Sequence, residues 1–232
     1  MIKKIIESVK DIVKETTFEF TPDGLILNAM DSSHVALIYM SLSECFKQFE
    51  CENTEVISFN IEIFSKFLKS CDNDCTITCE NIDSQLHMTA KGSRTIQFYQ
   101  NLLDIEADTL MIPEFDYPCN IKLSTGEFQK ICKDLKEFGD DVTISVSPSQ
   151  ITFCTNSLGE RIEITHTNDS CLINTDAHLQ ISYSLKYLLL FCKGCPLTEN
   201  VNLSIGMEQP LRVKFVINNT DFLCFYLAPK IE

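Results

Sequence analysis

An internal repeat constrains the fold of this chain more than any other feature of its sequence. At an offset of 126 residues two apolar sets coincide: Ile2, Ile5, Ile6 and Val9 fall on Phe128, Ile131, Cys132 and Leu135. Both sets have the i, i+3, i+4, i+7 spacing of one helix face. The strand and turn positions that follow coincide as well: Phe18, Phe20, Pro22, Leu25 and Leu27 fall on Ile144, Val146, Pro148, Ile151 and Phe153. The sequence therefore predicts a duplicated unit of one helix followed by a strand hairpin.

A second helix-and-strand unit recurs at a slightly shorter offset. Ile63, Phe67 and Leu68 correspond to Leu185, Leu189 and Leu190, and strands near 75–80 and 201–205 follow. The sequence thus predicts an α+β fold of two similar domains, each with two helices packed on antiparallel sheets. Domain one spans 1–101 and domain two spans 118–232. The segment 102–117 between them is acidic, lacks periodicity and contains Pro113, which is typical of a connecting loop.

Charge is sorted by element in this sequence. The 232 residues have a formal net charge of −14, from 19 Lys and Arg against 33 Asp and Glu. Four predicted helical segments, at 2–14, 62–70, 126–137 and 184–193, hold eleven of those cations against six acids, so they carry about +5 and the remainder about −19. The lysines lie opposite the apolar helix faces. A basic stripe on helices is typical of proteins that bind a polyanion such as nucleic acid, although lysines also simply solvate outer helix faces.

Other classes of site are not indicated. None of the seven glycines forms a G-x-G-x-x-G or P-loop motif, and the four histidines form no metal-binding pair, so we expect no cofactor, no metal and no catalytic residue. The chain has no Trp and no visible interleaving of aromatic with basic residues, which disfavours a single-strand stacking platform. No apolar run reaches the roughly 18 residues of a membrane helix, and the start has no secretory pattern, so we expect an intracellular protein.

Two cysteine patterns support competing interpretations. Cys192 and Cys195 form a C-x-x-C pair, so a thiol oxidoreductase is one alternative. However, Cys192 falls at the end of a predicted helix, whereas a redox cysteine belongs at a helix N-terminus, where the helix dipole stabilises the thiolate. Cys71, Cys75 and Cys79 recur every four residues but span a helix end and a strand, so zinc binding is not favoured. We expect mostly buried, reduced thiols.

Three stretches carry a resemblance to a known family: N-A-M-D-S-S-H-V at 28–35, G-E-F-Q-K-I-C-K-D-L at 126–135 and Y-L-A-P-K-I-E at 226–232. Over essentially its whole length, and in register, the chain resembles the eukaryotic DNA sliding clamp, proliferating cell nuclear antigen. The resemblance implies a homotrimeric ring of six similar domains, with helices lining the hole and sheets outside. It also implies a nuclear, non-enzymatic processivity factor that encircles duplex DNA without sequence preference and tethers replication and repair enzymes.

The resemblance assigns roles to three sets of residues. The lysines expected to face DNA are Lys3, Lys4, Lys10, Lys66, Lys69, Lys130, Lys133, Lys186 and Lys193. DNA polymerases, the clamp loader and other partners are expected to insert a Gln-x-x-aliphatic-x-x-aromatic-aromatic peptide into a pocket of Met30, His34, Val35, Leu37, Leu110, Ile112, Ser184, Pro210, Tyr226, Ala228, Pro229 and Ile231. The subunit interface is expected to pair strand 94–101 with strand 170–175 of the next subunit, through Arg94, Ile96, Phe98, Gln100, Leu172 and Asn174.

The sequence departs from the family pattern in two respects. Family members begin with a strand ahead of the first helix, whereas this chain starts within that helix. Either the true start lies upstream, or domain one lacks a strand and exposes its neighbour's edge. The lysine that receives ubiquitin-type modifiers in well-studied clamps aligns with Glu163, so regulation at that position is not expected. A checkpoint-type clamp subunit that assembles with different partners is the alternative within the same functional class.

Overall fold

The computed structural model describes residues 1–105, 115–157 and 159–230. Within them the helices are α1 (Ile2–Val9), α2 (Ile61–Ser70), α3 (Thr125–Lys136) and α4 (Leu185–Phe191), and a 3₁₀ helix (Cys192–Leu197) continues α4. The strands of the N-terminal half are β1 (Glu15–Thr21), β2 (Gly24–Met30), β3 (Ala36–Leu42), β4 (Glu55–Asn60), β5 (Thr76–Ile82), β6 (Gln85–Lys91) and β7 (Thr95–Asn101). Those of the C-terminal half are β8 (Cys119–Ser124), β9 (Asp141–Ser147), β10 (Gln150–Ser157), β11 (Glu160–Thr167), β12 (Leu172–Asn174), β13 (Leu179–Ser184), β14 (Asn200–Ile205), β15 (Leu211–Val216) and β16 (Phe222–Leu227).

The described strands form three antiparallel sheets. The largest has nine strands in the order β12-β8-β14-β15-β16-β3-β2-β1-β4, the second is β11-β10-β9-β13, and the third is β5-β6-β7. The nine-stranded sheet crosses from one half of the chain to the other where β16 pairs with β3, with Phe225 opposite Ile38. Both side chains are fully buried. A continuous sheet with a shared core therefore joins the two halves.

The repeat predicted from the sequence is confirmed in its first unit and is shifted in its second. α1 and α3 bury their predicted faces, and the hairpins β1–β2 and β9–β10 follow them. In the second unit, Ile61 of α2 and Leu185 of α4 are the equivalent buried residues, at an offset of 124, whereas Ile63 is 41% exposed. The predicted register was therefore wrong by two residues, because the apolar run 188–190 fits more than one helix phase.

Side-chain caps start two of the helices directly after a strand. The Ser124 hydroxyl accepts a hydrogen bond from the amide of Glu127 at 3.2 Å at the start of α3. The Asn60 side chain accepts one from the amide of Ile63 at 3.1 Å at the start of α2. Such caps satisfy amides that have no partner within the helix. Strand and helix are thus joined without a loop, which fixes where each helix lies over its sheet.

The helices of both halves pack into one layer, called here the helix layer. α1 packs against α2, α4 and the 3₁₀ helix, and α3 packs against α4 and the 3₁₀ helix. The hydroxyl of Ser8 in α1 donates to the carbonyl oxygen of Lys193 at 2.8 Å, which ties the two halves together. Among the described residues, no helix is long and apolar enough to cross a membrane. Residues 102–105 and 115–117, between β7 and β8, have no regular structure.

Candidate nucleic-acid interface and partner pocket

The predicted DNA-facing lysines lie on the side of the helix layer opposite its buried apolar faces. Seven of them are exposed and two are half-buried: Lys4, Lys66, Lys69, Lys130, Lys133, Lys186 and Lys193 are exposed, and Lys3 and Lys10 are half-buried. Every helix, or the 3₁₀ helix that continues it, contributes at least one. The structure therefore places cations that are far apart in the sequence on the helices of one layer.

Four of these nine lysines are bound within the protein. Lys3 donates to the carbonyl oxygen of Cys71 at 2.7 Å, Lys69 lies 3.0 Å from Glu7, and Lys10 and Lys193 both pair with Asp11. The hydrogen bond from Lys193 lowers the pKa of Asp11 and outweighs the effect of burial. Burial by itself would raise the pKa of Glu7, but hydrogen bonds from Ser65 and Lys69 lower it overall. Two carboxylates thus neutralise part of the helix layer's positive charge.

The other five lysines form no ion pair with any described residue: Lys4, Lys66, Lys130, Lys133 and Lys186. Lys186 lies 5.7 Å from the centre of the Tyr187 ring, a contact that leaves its charge intact. These five charges come from all four helices, so they are distributed along the layer. A phosphate group can approach these five without first displacing an ion pair or side-chain hydrogen bond to a described residue.

Three residues of the predicted partner pocket lie side by side on the outer face of the nine-stranded sheet. Met30 of β2 lies opposite Leu37 of β3, which lies opposite Tyr226 of β16. All three are half-buried, while their neighbours along each strand point into the core. The amide of Ala228 donates to the carbonyl oxygen of Val35 at 2.9 Å. The structure therefore brings three separate stretches of sequence into one apolar surface.

A buried carboxylate that the sequence analysis did not single out shapes the loop beside this pocket. Asp31 accepts hydrogen bonds from the amides of Val35 at 2.8 Å and Ala36 at 2.6 Å, and from the hydroxyl of Tyr187 at 2.7 Å. Within the loop, His34 has a left-handed backbone with φ of 57° and an exposed side chain. The D-S-S sequence at 31–33 is a turn signal that could have indicated Asp31, because an Asp side chain readily bonds amides that follow it. Nothing local could have indicated Tyr187.

The remaining residues of the predicted pocket lie on other segments, and some are outside the described part of the chain. Pro210 is half-buried, and its carbonyl oxygen accepts a hydrogen bond from the Tyr117 hydroxyl at 2.9 Å. The amide of Lys230 donates to the carbonyl oxygen of Ser182 at 2.9 Å, which brings the C-terminal segment, and with it Pro229, alongside the strand that ends at Ser184. Leu110, Ile112 and Ile231 lie outside the described residues.

The predicted interface residues lie on strands with different surroundings. Ile96, Phe98 and Gln100 are in β7, which pairs with β6 and has no other partner among the described strands, and Arg94 immediately precedes it. The Phe98 ring stacks on Phe67 at 5.1 Å, and the Gln100 amide donates to the carbonyl oxygen of Asn60 at 2.9 Å, so these side chains are directed into their own domain. Leu172 and Asn174 are in β12, which pairs with β8 of the same chain.

The C-x-x-C pair is buried beneath the helix layer. Cys192 is 3% exposed and Cys195 is 8% exposed. Hydrogen bonding with Cys132 raises the pKa of the Cys192 thiol, and hydrogen bonding with Cys192 together with burial raises the pKa of the Cys195 thiol. A raised pKa and burial both oppose the thiolate that redox chemistry needs. Over 1–105, 115–157 and 159–230, no group of three or more His, Cys, Asp or Glu residues could hold a metal ion.

Comparisons with known proteins cover nearly the whole chain. The family model for the N-terminal domain of proliferating cell nuclear antigen matches residues 1–110, and the model for its C-terminal domain matches residues 111–230. Among solved structures, the crystal structure of proliferating cellular nuclear antigen from Entamoeba histolytica is similar, with a TM-score of 0.90 and 32% sequence identity. That match covers 99% of this chain and 95% of the other. The similarity thus extends to both domains and to their arrangement.

Proposed function

This chain belongs to the proliferating cell nuclear antigen family and is a DNA sliding clamp, and we propose that three copies of it close into a homotrimeric ring. The observation that carries this proposal is the sorting of charge in the fold. Lysines cover the side of the helix layer that faces away from the sheets, although the formal net charge of the chain is −14. A ring with this layer inside holds duplex DNA at a basic surface and presents an acidic exterior.

The helix layer would hold DNA by contacts with phosphate groups alone. Phosphates carry no base sequence, so such contacts are unspecific, sensitive to salt and compatible with sliding. We assign the main contacts to Lys4, Lys66, Lys130, Lys133 and Lys186, because each is free of ion pairs with described residues. The other four lysines would contribute less, since internal partners already hold them. Retention then depends on the closed ring and not on strong binding.

We propose that the ring closes through the free edges of β7 and β11. Within one chain, β16 of the second half pairs with β3 of the first half. The repeat places β7 in the position of β16 and β11 in that of β3, so the same pairing between subunits joins β7 to β11. β11 pairs with β10 and has no other partner among the described strands. We favour β11 over the strand 170–175 expected from the sequence because β11 is the repeat counterpart of β3, whereas Leu172 and Asn174 lie in β12, which pairs with β8 at the edge of the nine-stranded sheet.

Partner proteins would dock on the outer face of the sheet. We propose that Met30, Leu37 and Tyr226 receive the aliphatic and aromatic anchors of the Gln-x-x-aliphatic-x-x-aromatic-aromatic peptide. The support is that these side chains are half-buried, contiguous and on the face opposite the core. Polymerases, the clamp loader and repair enzymes carrying such a peptide would be tethered to DNA by this contact. We call this surface, with Val35, Pro210 and Ala228 around it, the partner pocket.

The protein would act in the nucleus and without catalysis of its own. Clamps of this family are non-enzymatic scaffolds. Burial of Cys192 and Cys195 and their raised thiol pKa argue against the thiol oxidoreductase alternative. The alternative of a checkpoint-type subunit is separated by mass, since such a subunit assembles with different chains. We also propose that the first domain spans 1–101 and the second 118–232, joined by the connector 102–117.

Two measurements test the ring. Light scattering of the purified chain should give three times the chain mass of 26.4 kDa. When a clamp loader places the protein on nicked circular DNA, the protein should stay bound in moderate salt and should leave after the circle is cut, because a closed ring slides off an end. A monomeric mass, or retention that is the same on linear and circular DNA, would contradict the proposal.

A further inference from the structure

The outer face of the nine-stranded sheet carries a second group of cations, separate from the helix layer. Lys122 of β8 and Lys214 of β15 both lie opposite Asn202 of β14, so they are on the same face two strands apart. Arg212 is two residues from Lys214 on β15 and shares that face. No described carboxylate forms an ion pair with any of the three. We call Lys122, Arg212 and Lys214 the outer cation patch.

Contacts within the sheet hold two of these cations in place without neutralising them. The Arg212 guanidinium lies 4.8 Å from the centre of the Tyr117 ring and donates to the Ser204 hydroxyl at 2.8 Å. The Lys214 ammonium lies 4.1 Å from the centre of the Phe222 ring. Aromatic rings attract cations through their π faces and add no negative charge. The patch is therefore an ordered positive surface on a chain whose formal net charge is −14.

The outer cation patch is continuous with the partner pocket. Arg212 lies opposite Tyr226 in the strand register, and Tyr226 lies opposite Leu37. Neighbouring strands are about 4.8 Å apart, so Arg212 lies one strand away from the proposed anchor position Tyr226. A peptide seated in the pocket would therefore pass within reach of Arg212 if its chain continued toward β15.

We propose that the outer cation patch binds an acidic segment that adjoins the apolar anchors of partner peptides. This rests on the proposed partner pocket and adds a charge preference to it. Arg212 can pair with an Asp or Glu carboxylate through two parallel hydrogen bonds, and Lys214 and Lys122 extend the attraction along the sheet. Continuity with an apolar pocket favours a peptide over a nucleic acid, whose contacts would need a longer basic track.

Two labelled peptides test this inference by fluorescence anisotropy. Both contain the same Gln-x-x-aliphatic-x-x-aromatic-aromatic motif, flanked on each side by three Glu in one and by three Gln in the other. In low salt, the wild-type clamp should bind the Glu-flanked peptide at least about tenfold more tightly, and high salt should reduce this advantage. In the double variant Arg212→Gln/Lys214→Gln the advantage should disappear. The control Lys66→Gln/Lys130→Gln removes the same charge from the helix layer and should keep it.

The outcomes for the acidic segment differ from those for the partner pocket itself. Equal affinities of wild type for both peptides would overturn the acidic-segment inference and leave the pocket standing, whereas no binding of either peptide would overturn both. An equal loss for both peptides in the double variant would mean that the cations only support the pocket, which also overturns the inference. So would binding of a dT oligonucleotide that depends on Arg212 and Lys214. Lys214→Gln alone leaves the contact to Ser204 intact, so a partial loss of the advantage there would support the inference without risk to folding.

Discussion

Asp31 connects the partner pocket to the opposite half of the molecule through a single side chain. It is buried, and its oxygens accept hydrogen bonds from amides of its own loop and from Tyr187 of α4. Burial by itself would raise the pKa of Asp31, but these hydrogen bonds lower it overall. The loop that carries His34 and Val35 is therefore held by a charged acceptor, and we expect its loss to reduce stability and to disturb the proposed pocket.

Replacing Asp31 with Asn should lower the free energy of unfolding by about 1–3 kcal/mol at pH 7, because the amide cannot satisfy all the donors that the carboxylate accepts. The folded-state pKa of Asp31 is lowered, so the carboxylate stabilises the fold above its unfolded pKa of about 3.9, and this contribution is lost as the pH falls through the folded value. Urea denaturation should show the gap between wild type and variant shrinking below about pH 4. Asp23→Asn, in an exposed turn, is the control; a similar loss there would contradict the role of Asp31.

The partner pocket should depend on a few apolar side chains. Met30→Ala and Leu37→Ala should each weaken binding of the motif peptide by about 1–3 kcal/mol, since truncating a buried anchor contact removes most of its contribution. Val216→Ala, on the same sheet face but distant from the pocket along β15, should leave the affinity unchanged. Peptide titration of the three variants decides this. If all three variants bind the peptide as tightly as wild type, Met30 and Leu37 do not contact the partner peptide.

At the scale of elements, free strand edges have the largest consequence for the assembly of subunits. β7 and β11 each have one edge without a partner among the described strands. Among the described strands β5 pairs with β6 alone, whereas its repeat counterpart β14 is flanked by both β8 and β15. An unpaired edge is a template for another strand. In the ring proposed above, β7 and β11 meet between subunits, because the β16–β3 ladder joins the equivalent edges within one chain.

Proline in β11 should break the ring. Amides of successive residues point to opposite edges of a strand, so in one of the two variants Ile164→Pro and Thr165→Pro the lost donor is the one that points away from β10. That variant should be monomeric by light scattering while its circular dichroism stays like that of wild type. Leu172→Pro, in the partner strand expected from the sequence, should remain trimeric. A trimeric mass for both β11 variants, with a monomeric Leu172→Pro, would restore the strand 170–175 as the partner.

At the scale of the whole molecule, charge separation couples the fold to its function. The helix layer presents cations on one side of each domain, and the remainder of the chain carries the excess of acids. In a closed ring this arrangement attracts DNA to the hole and repels it from the outside. The outer cation patch is a local exception to the acidic exterior. Because it lies beside the pocket, we propose that it contributes to the binding of partner peptides.

Reversing charge in the helix layer should abolish DNA retention without disturbing assembly. Lys66→Glu/Lys130→Glu should reduce polymerase stimulation on long templates at least about tenfold near physiological salt, because phosphate contacts are lost and repulsion is added. The control Lys47→Glu/Lys91→Glu makes the same charge change at exposed positions outside the helices and should retain activity. Light scattering should give the trimer for both. Equal stimulation by the two doubles would mean that the helix layer does not face DNA.

The sequence by itself determined the elements and their duplication. Periods of 3.6 and 2 residues mark which side of a helix or strand is buried, and this information is local, so α1, α3 and strands such as β1 and β9 could be predicted. The predicted alignment of α2 with α4 was wrong by two residues, because the apolar run in α4 covers more than one helix face. The family motifs added the expected roles of the lysines and pocket residues, which no periodicity contains.

The tertiary structure alone decided which of those residues act together. Whether a lysine is free depends on acids that are distant in sequence, as with Lys193 beside Asp11. Strand neighbours depend on the topology of the sheets, which places β12 beside β8 at the edge of the nine-stranded sheet and β11 at the edge of the second sheet. In the sequence, Arg212 and Lys214 alternate with apolar residues, and only the pairing of β15 with β16 places Arg212 opposite Tyr226 of the proposed pocket. Local periodicity encodes burial, whereas ion pairs, free edges and surface patches arise from contacts between segments that the chain brings together only when it folds.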